Sequence, residues 1–221
     1  MKCVVITGST KGIGLGLAKE FLQRDCAVVA SGRNKERLED EVRRLAAGFG
    51  DERVLGRACD VTDYDQVRAL WHAARQKFDE VDIWINNAGI DNTILPYWEM
   101  ASAEISPVVS TNLTGMMFGC HVALKGMQSQ RHGQIYNVEG YGSNDMMRTG
   151  FSVYGATKRA LRYFTESLTQ EAEALPVQIG CISPGIVLTD FMIDGLRKLP
   201  ADQLEAIKAI YNTLADSVET V

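Results

Sequence analysis

Residues 1–14 read MKCVVITGSTKGIG. The first seven form a short apolar and β-branched run, which is typical of a buried strand. A turn with glycines at positions 8, 12 and 14 follows, and residues 15–22 have helical spacing. This order predicts a phosphate cradle, in which Gly8 permits a tight turn, Gly12 lets the backbone approach a pyrophosphate, and Gly14 lets the helix pack closely on the strand. A glycine pattern alone also fits an ordinary turn before a helix, so the choice between the two depends on motifs elsewhere in the chain.

The composition indicates one globular domain. The chain has 221 residues, 46% of them apolar, and its net charge of −5 excludes a basic surface for nucleic acid. It has no apolar run of membrane-spanning length, and it enters the first strand directly, so we expect no signal or transit peptide in this chain. The five cysteines are scattered and form no C-x-x-C pair. We interpret them as small core residues and expect no metal site.

Strands and helices alternate along the chain. After the first strand, the pattern predicts strands near residues 27–31, 53–59, 81–86, 134–138 and 177–182. Helices are predicted near 37–47, with Gly48 as the stop, and near 67–78, 105–130 and 152–175. This alternation predicts an α/β fold with a doubly wound parallel sheet and helices on both faces. After residue 182 we find only a loop and helices, whereas many such sheets close with another strand. We expect either that this last strand is absent from the fold or that the chain is a shortened form.

The end of the second strand bears on the choice of cofactor. It reads Ser31-Gly32-Arg33-Asn34, without the acid that favours a free ribose 2′-hydroxyl. Arg33 offers a planar fork suited to phosphate, and Lys11 adds a second positive charge, so we expect NADP(H) rather than NAD(H). Asp60, after the third strand, is predicted either to accept a hydrogen bond from adenine or to cap the next helix near residue 62 or 63.

Tyr154 and Lys158 are the sharpest chemical signal. Four residues apart on a helix, they share a face. A nearby ammonium lowers the pKa of a phenol, and such a tyrosine can donate a proton to a carbonyl that is being reduced. By itself this spacing also fits a surface pair.

Five separated motifs occur in order: TGSTKGIG, NNAG, Asn112 within TNLTG, YGATK, and SPG at 183–185. Together they resemble the short-chain dehydrogenase/reductase family. The resemblance implies a single Rossmann domain over residues 1–221, with a substrate loop at about 186–215, and hydride transfer with a nicotinamide cofactor. It implies that Tyr154 is the acid/base, that Lys158 orients the nicotinamide ribose and tunes Tyr154, and that Asn112 holds a water in a proton relay. The expected cofactor-binding residues are Gly8, Ser9, Thr10, Lys11, Gly12, Ile13, Gly14, Arg33, Asp60, Val61, Asn86, Ala88, Gly89, Tyr154, Lys158, Pro184, Gly185, Ile186 and Thr189. Assembly as a homodimer or homotetramer is expected by the same analogy.

One departure from the family pattern lies before Tyr154. The family usually carries a serine just after the fifth strand to hold the substrate oxygen, but here Glu139 and Gly140 fill those positions. Ser143 is the nearest hydroxyl, and we expect it to take the role. The alternatives are that Tyr154 works without a serine partner, or that Tyr141 or a backbone N–H substitutes. Glu139 either binds substrate or ties its loop to backbone N–H groups.

The same loop resembles one branch of the family, the chlorophyll(ide) b reductases, on Asn137, Glu139, Gly140, Gly142 and Ser143 and on the YGATKR and SPGxVxTD motifs. The resemblance implies NADPH-dependent reduction of a 7-formyl group to hydroxymethyl. A wide apolar mouth for such a pigment is expected from Met146, Met147, Phe151, Phe191, Met192 and Ile193. The alternatives are a general carbonyl or alcohol oxidoreductase with another small-molecule substrate and a catalytically silent cofactor-binding protein. The expected compartment is the cytoplasm for a bacterial source, or the plastid stroma if a transit peptide was removed.

Overall fold

The computed structural model describes residues 1–185, 187–188 and 216–217. In this part of the chain, six parallel strands form one sheet that lies between two layers of helices. The predicted doubly wound α/β fold is therefore confirmed. The strands of the sheet are β1 Cys3–Ile6, β2 Ala27–Gly32, β3 Val54–Ala58, β4 Ile83–Asn86, β5 Gln134–Val138 and β6 Gln178–Ile182. The helices are α1 Gly12–Gln23, α2 Lys35–Phe49, α3 Tyr64–Phe78, α4 Ser102–Val109, α5 Gly115–Gln130 and α6 Ser152–Glu171.

The strand order is β3-β2-β1-β4-β5-β6, and every pairing is parallel. The winding reverses between β1 and β4, which pair with Ile6 opposite Ile85. In an open sheet of this kind, the crevice for a ligand lies at that reversal, beyond the carboxyl ends of the strands. The topology thus brings the segments that follow each strand to one edge.

The core lies on both faces of the sheet because alternate residues of each strand point to opposite sides. Val5 packs in the cluster that contains Trp71 and Trp84, whereas Val4 and Ile6 pack in the cluster with Leu22 of α1. All of these side chains are buried. Burial on both faces explains why the strands read as continuous apolar runs. All five cysteines are free thiols, and no helix of the described residues is long and apolar enough to cross a membrane.

Three predicted helices end or divide differently in the structure. α2 runs through Gly48 and stops at Gly50, whose φ of +100° suits glycine and ends the helix. The predicted helix over 105–130 is divided by one turn of π-helix, Ser110–Thr114, between α4 and α5. α6 ends at Glu171 rather than near 175. Periodicity did not reveal the π-turn, because a single turn of five residues is too short to show a period of its own.

The segment after β6 also differs. Within the described residues the main sheet has six strands, as predicted. The structure adds a separate parallel pair, β7 Val187–Leu188 with β8 Asp216–Ser217, where only a loop and helices were expected. Two residues are too short a run to show the period of a strand.

Candidate active site

A cavity of about 680 Å³ lies at the crevice between β1 and β4. One end is bordered by the glycine turn and by residues that follow β2, and the other by Tyr154 and residues that follow β4. Of the expected cofactor residues, the cavity lining includes Gly8, Thr10, Lys11, Gly12, Ile13, Gly14, Arg33, Val61, Ala88, Gly89, Tyr154 and Lys158. One cavity therefore joins the predicted phosphate cradle to the predicted catalytic pair.

The glycine turn is packed so tightly that side chains do not fit. Gly8 has a φ of +65°, and a Cβ on it would lie 2.8 Å from the Cα of Ala88. A Cβ on Gly14 would overlap the amide of Asn87 and lie 2.6 Å from the carbonyl oxygen of Gly8. The turn is tied to β4 because Asn87 donates its side-chain amide to the carbonyls of Thr7 (2.9 Å) and Gly8 (3.0 Å). The roles predicted for Gly8 and Gly14 agree with this packing.

Three cations line the same end of the cavity: Lys11, Arg33 and Arg37. Arg33 and Arg37 are exposed, and no ion pair among the described residues engages any of the three. Arg37 was missed in the sequence. It lies in the first turn of α2, where Asn34 caps the helix by accepting from the Arg37 N–H at 2.8 Å. The signal was present as a second arginine four residues after Arg33, in the first turn of the helix that follows β2. This end fits a dinucleotide that carries an additional phosphate.

Three expected cofactor residues are used elsewhere. Ser9 donates its hydroxyl to the Ile6 carbonyl (2.9 Å) and accepts from the Ser31 N–H (2.9 Å), which ties the turn to β2. Asn86 bonds Asn137 at 2.8 Å and so joins β4 to β5. Neither residue is among those that line the cavity. Both are polar residues at strand ends, where sequence cannot separate a tie between strands from a contact with a ligand.

Asp60 is the third of these residues. Its carboxylate accepts from the N–H (2.9 Å) and the hydroxyl (2.8 Å) of Thr62, and it does not line the cavity. The alternative that Asp60 caps α3 is wrong, because Asp63 is the cap and accepts from the N–H groups of Asp65 and Gln66.

Tyr154 and Lys158 lie on one face of α6 and are 9% and 5% exposed. The Lys158 ammonium donates to the Val138 carbonyl at 2.8 Å and lies 5.7 Å from the centre of the Tyr154 ring. Burial lowers the pKa of Lys158 to about 8, although the negative charge of Glu139 opposes this shift. The expected lowering of the Tyr154 pKa is not found. Burial, with a smaller contribution from the charge of Asp91, raises the pKa of Tyr154, so its phenol is protonated at neutral pH and suited to donate a proton.

Gly140, rather than Ser143, faces the tyrosine hydroxyl. A Cβ on Gly140 would overlap Tyr154 Oη and lie 3.0 Å from Lys158 Cε. The Ser143 hydroxyl instead donates to the Gly140 carbonyl at 2.8 Å, and Ser143 does not line the cavity. The loop folds back at Gly142, which has a φ of +97° and packs closely on Gly155. This placement speaks against the prediction that Ser143 supplies the missing hydroxyl. The ring of Tyr141, the first alternative, packs on Phe151 at 5.2 Å between ring centres.

Glu139 lines the cavity with a buried carboxylate. That carboxylate lies 3.8 Å from the Arg162 guanidinium, and it raises the pKa of both Lys158 and Cys181. It is the Glu139 N–H, bonded to the Ile182 carbonyl at 2.8 Å, that ties the loop to β6. Among the described residues no backbone N–H donates to the carboxylate, so the expectation that it ties the loop in this way is not met there.

The residues after β4 form the other wall. Ile90, Asp91, Asn92, Thr93 and Ile94 all line the cavity, and none of them was singled out from the sequence. Asn112 lies behind this wall in the π-turn and bonds both the N–H and the carbonyl of Ile90 at 2.8 Å. Its expected role as holder of a water stays a prediction. The chain leading out of the cavity is exposed and apolar at Leu95, Tyr97 and Trp98.

Two expected groups of residues fall wholly or partly outside the described chain. Pro184 and Gly185 follow β6 but do not line the cavity. Ile186, Thr189, most of the loop at about 186–215, and Phe191, Met192 and Ile193 lie outside the described residues. No cluster that could hold a metal occurs among the described residues.

A family model for short chain dehydrogenase matches residues 2–198. The chain belongs to the short-chain dehydrogenase family. The members of this family are NAD(P)-dependent oxidoreductases, in agreement with the cradle and with the Tyr154–Lys158 pair. The resemblance recognised in the sequence is thereby confirmed.

Individual relatives differ in how much of their length the chain spans. It is 40% identical to chlorophyll(ide) b reductase NOL of Oryza sativa subsp. japonica over 99% of this chain, but spans only 63% of that relative. It is 33% identical to the 3-oxoacyl-acyl-carrier-protein reductase FabG of Chlamydia pneumoniae, over 93% of this chain and 82% of that protein. Among solved structures, a serine dehydrogenase complexed with NADP⁺ has a TM-score of 0.85 and 28% identity, over 98% of this chain and 84% of that one.

Proposed function

We propose that this protein reduces an aldehyde with NADPH, and that the aldehyde is the 7-formyl group of chlorophyll(ide) b, which becomes hydroxymethyl. The reductase activity is supported by one observation: a single cavity connects the positively charged end, where phosphate groups would bind, to Tyr154 and Lys158. The 40% identity to a chlorophyll(ide) b reductase supports the pigment. That relative is named as chloroplastic, which favours the plastid stroma among the two expected compartments.

The cationic end supports NADPH over NADH. Arg33 and Arg37 border the cavity where the second strand ends, and that strand end carries no carboxylate. The serine dehydrogenase of similar fold was solved with NADP⁺. We expect Arg33→Ala to weaken NADPH binding by about tenfold or more, the typical loss of a charge-assisted contact of 1.5–3 kcal/mol, and to leave NADH binding unchanged. Equal losses for both cofactors by fluorescence titration would contradict this assignment.

The chemistry requires one hydride and one proton. When bound, the reduced nicotinamide supplies the hydride to the carbonyl carbon. Tyr154, kept protonated by burial, donates its phenolic proton to the carbonyl oxygen, and the nearby ammonium of Lys158 stabilises the phenolate that remains. Residues 90–94 and Glu139 line the cavity beside these two side chains and bound the space in which the carbonyl group binds.

Exposed apolar side chains near the cavity suit a large flat substrate. Trp98 is 83% and Met147 is 91% exposed. Trp98 follows the cavity wall in sequence, and Met147 precedes Gly150, whose backbone packs against Ile94 of that wall. An exposed apolar patch is typical of a ligand or partner site, so these two side chains are candidates for contact with the pigment. Phe151, also expected at the mouth, packs between Tyr141 and Tyr154 instead.

The test is turnover of chlorophyllide b with NADPH, followed by pigment absorbance, beside a panel of small ketones and aldehydes. Tyr154→Phe keeps the ring and removes the acid, so we expect it to lower turnover by about 10²–10⁴-fold. Tyr136→Phe, on β5 and outside the cavity lining, is the matched control and should not change turnover. Turnover of small carbonyls alone would favour the general carbonyl reductase that the FabG likeness supports. Cofactor binding without turnover of any carbonyl would favour the alternative of a catalytically silent cofactor-binding protein.

A further inference from the structure

The wall that faces the substrate end is anchored at its start. Residues 90–94, here named the 90–94 loop, line the cavity directly after the NNAG motif. Asn112 accepts from the Ile90 N–H and donates to the Ile90 carbonyl, both at 2.8 Å. Asn112 is buried in the π-turn. The first residue of the loop is therefore held by two bonds to the junction of α4 and α5.

Asn92 joins the same loop to the helix that carries the tyrosine. Its side-chain oxygen accepts from the Tyr154 N–H at 3.0 Å, and its amide donates to the carbonyls of Gly150 (2.7 Å) and Thr93 (2.8 Å). Tyr154 is the third residue of α6, so its N–H has no partner within the helix. The residue at the cap position, Phe151, offers no side-chain bond. Asn92 thus caps α6 from 62 residues away, at the catalytic tyrosine itself.

A second chain of hydrogen bonds reaches the backbone carbonyl of the same residue, Tyr154. Thr157 donates its hydroxyl to the Tyr154 carbonyl at 2.6 Å and accepts from the Asn112 amide at 3.3 Å. Asn92, Asn112 and Thr157 are all buried. The N–H and the carbonyl of Tyr154 are therefore both tied, through different side chains, to the loop that forms the substrate wall. A buried network in which each group is satisfied has one preferred arrangement.

Close backbone packing also joins the 90–94 loop to the segment before α6. Gly150 has a φ of +84°, and a Cβ on it would lie 2.7 Å from the Ile94 side chain and 3.2 Å from its backbone. The segment before α6 and the 90–94 loop are therefore in direct contact where Asn92 bonds Gly150. A shift of one segment has to move the other.

We propose that Asn92 is a positioning residue for the reduction. It fixes the Tyr154 hydroxyl relative to a carbonyl group bound against the 90–94 loop, and Thr157 acts with it through the second arm of the network. This inference rests on the proposed role of Tyr154 as the proton donor.

The experiment compares variants that remove the hydrogen bond of Asn92 to the Tyr154 N–H or the hydrogen bond of Thr157 to the Tyr154 carbonyl. In Asn92→Ala, kcat for the best carbonyl substrate of the panel, chlorophyllide b included, falls by about 10–100-fold, because a displacement of about 1 Å at the reacting atoms has that effect. NADPH affinity and the KM of the carbonyl stay near the wild-type values. Thr157→Val lowers kcat as well, and Thr157→Ser, which keeps the hydroxyl, restores it. The double variant loses less than the product of the two single losses, because both arms fix one residue.

The matched control is Asn144→Ala. Asn144 is exposed on the loop before α6. Within the described part of the chain its side chain makes one hydrogen bond, which it accepts from the Met146 N–H at 3.4 Å, so its loss leaves kcat unchanged. The inference fails if Asn92→Ala keeps the wild-type kcat, or if kcat falls only in proportion to the folded fraction or to NADPH affinity. If Tyr154→Phe also keeps full activity, the proposed function fails with it. If Tyr154→Phe is inactive and Asn92→Ala is not, the positioning role alone is wrong.

Discussion

Gly140 offers a test in which the family pattern and the structure disagree. The family usually carries a serine just after the fifth strand, so Gly140→Ser introduces a hydroxyl beside Tyr154 and, by analogy, should improve catalysis. In the structure, a Cβ at position 140 overlaps Tyr154 Oη and lies 3.2 Å from Tyr154 Cζ and 3.0 Å from Lys158 Cε. We therefore expect the substitution to damage the site.

The magnitude follows from the packing. Restoring an ordinary carbon contact of about 3.5–4.0 Å requires a displacement of about 0.5–1 Å. Neither side chain yields easily, because both are buried and the Lys158 ammonium is bonded to the Val138 carbonyl. Overpacking of this kind costs about 1–3 kcal/mol of stability. A displacement of about 1 Å at the acid lowers kcat by about 100-fold.

The assay is NADPH-dependent carbonyl reduction, with urea denaturation to measure stability. Gly140→Ala should lose as much activity as Gly140→Ser, since the Cβ causes the clash in both. Gly180→Ser is the control, because a Cβ there lies 3.7 Å from the Tyr136 ring, an ordinary contact. Equal or faster turnover in Gly140→Ser, with unchanged stability, would refute the reasoning.

Two further predictions concern a charge and a helix end. The rate of reduction should fall above a pH of about 8, where Lys158 loses its proton, and Glu139→Gln should move this fall to lower pH, because the carboxylate raises the pKa of Lys158. Glu166→Gln serves as the control, since Glu166 also pairs with Arg162 but does not affect Lys158, and an unmoved pH profile in Glu139→Gln would disprove the coupling. Gly48→Ala should raise the free energy of unfolding by about 0.5–1 kcal/mol, because Gly48 is helical and exposed with no atom near its Cβ position. Gly50→Ala should lower the free energy of unfolding by about 1 kcal/mol or more, because alanine does not readily adopt the φ of +100° found there. If urea denaturation gives the same sign for both variants, the end of α2 is misassigned.

The ionisation of Lys158 also affects stability. Burial disfavours its charged form, so the folded state binds fewer protons than the unfolded state between the folded pKa of about 8 and the ordinary value of 10.5. In that window this residue makes the protein more stable as pH rises. Loss of activity above pH 8 is therefore not expected to come from unfolding caused by Lys158.

The sequence by itself determined the fold and the main parts of the site. The strand, glycine turn and helix at residues 1–14 are encoded in local spacing, and so is the shared face of Tyr154 and Lys158, because neighbours on one helix or strand follow directly from its period. The alternation of strands and helices then predicted the parallel sheet and the edge at which these segments meet.

Only the tertiary structure decided which polar groups face the cavity. Ser143 and Asn86 carry the right chemistry, but their side chains are satisfied within the protein, whereas Gly140 has no side chain and lies against the tyrosine. Asn92 reaches Tyr154 across 62 positions. Such contacts depend on how two loops fold against each other, so the periodicity of residues along a single helix or strand does not predict them. The raised pKa of Tyr154 has the same origin, because burial, its main cause, exists only once the chain has folded.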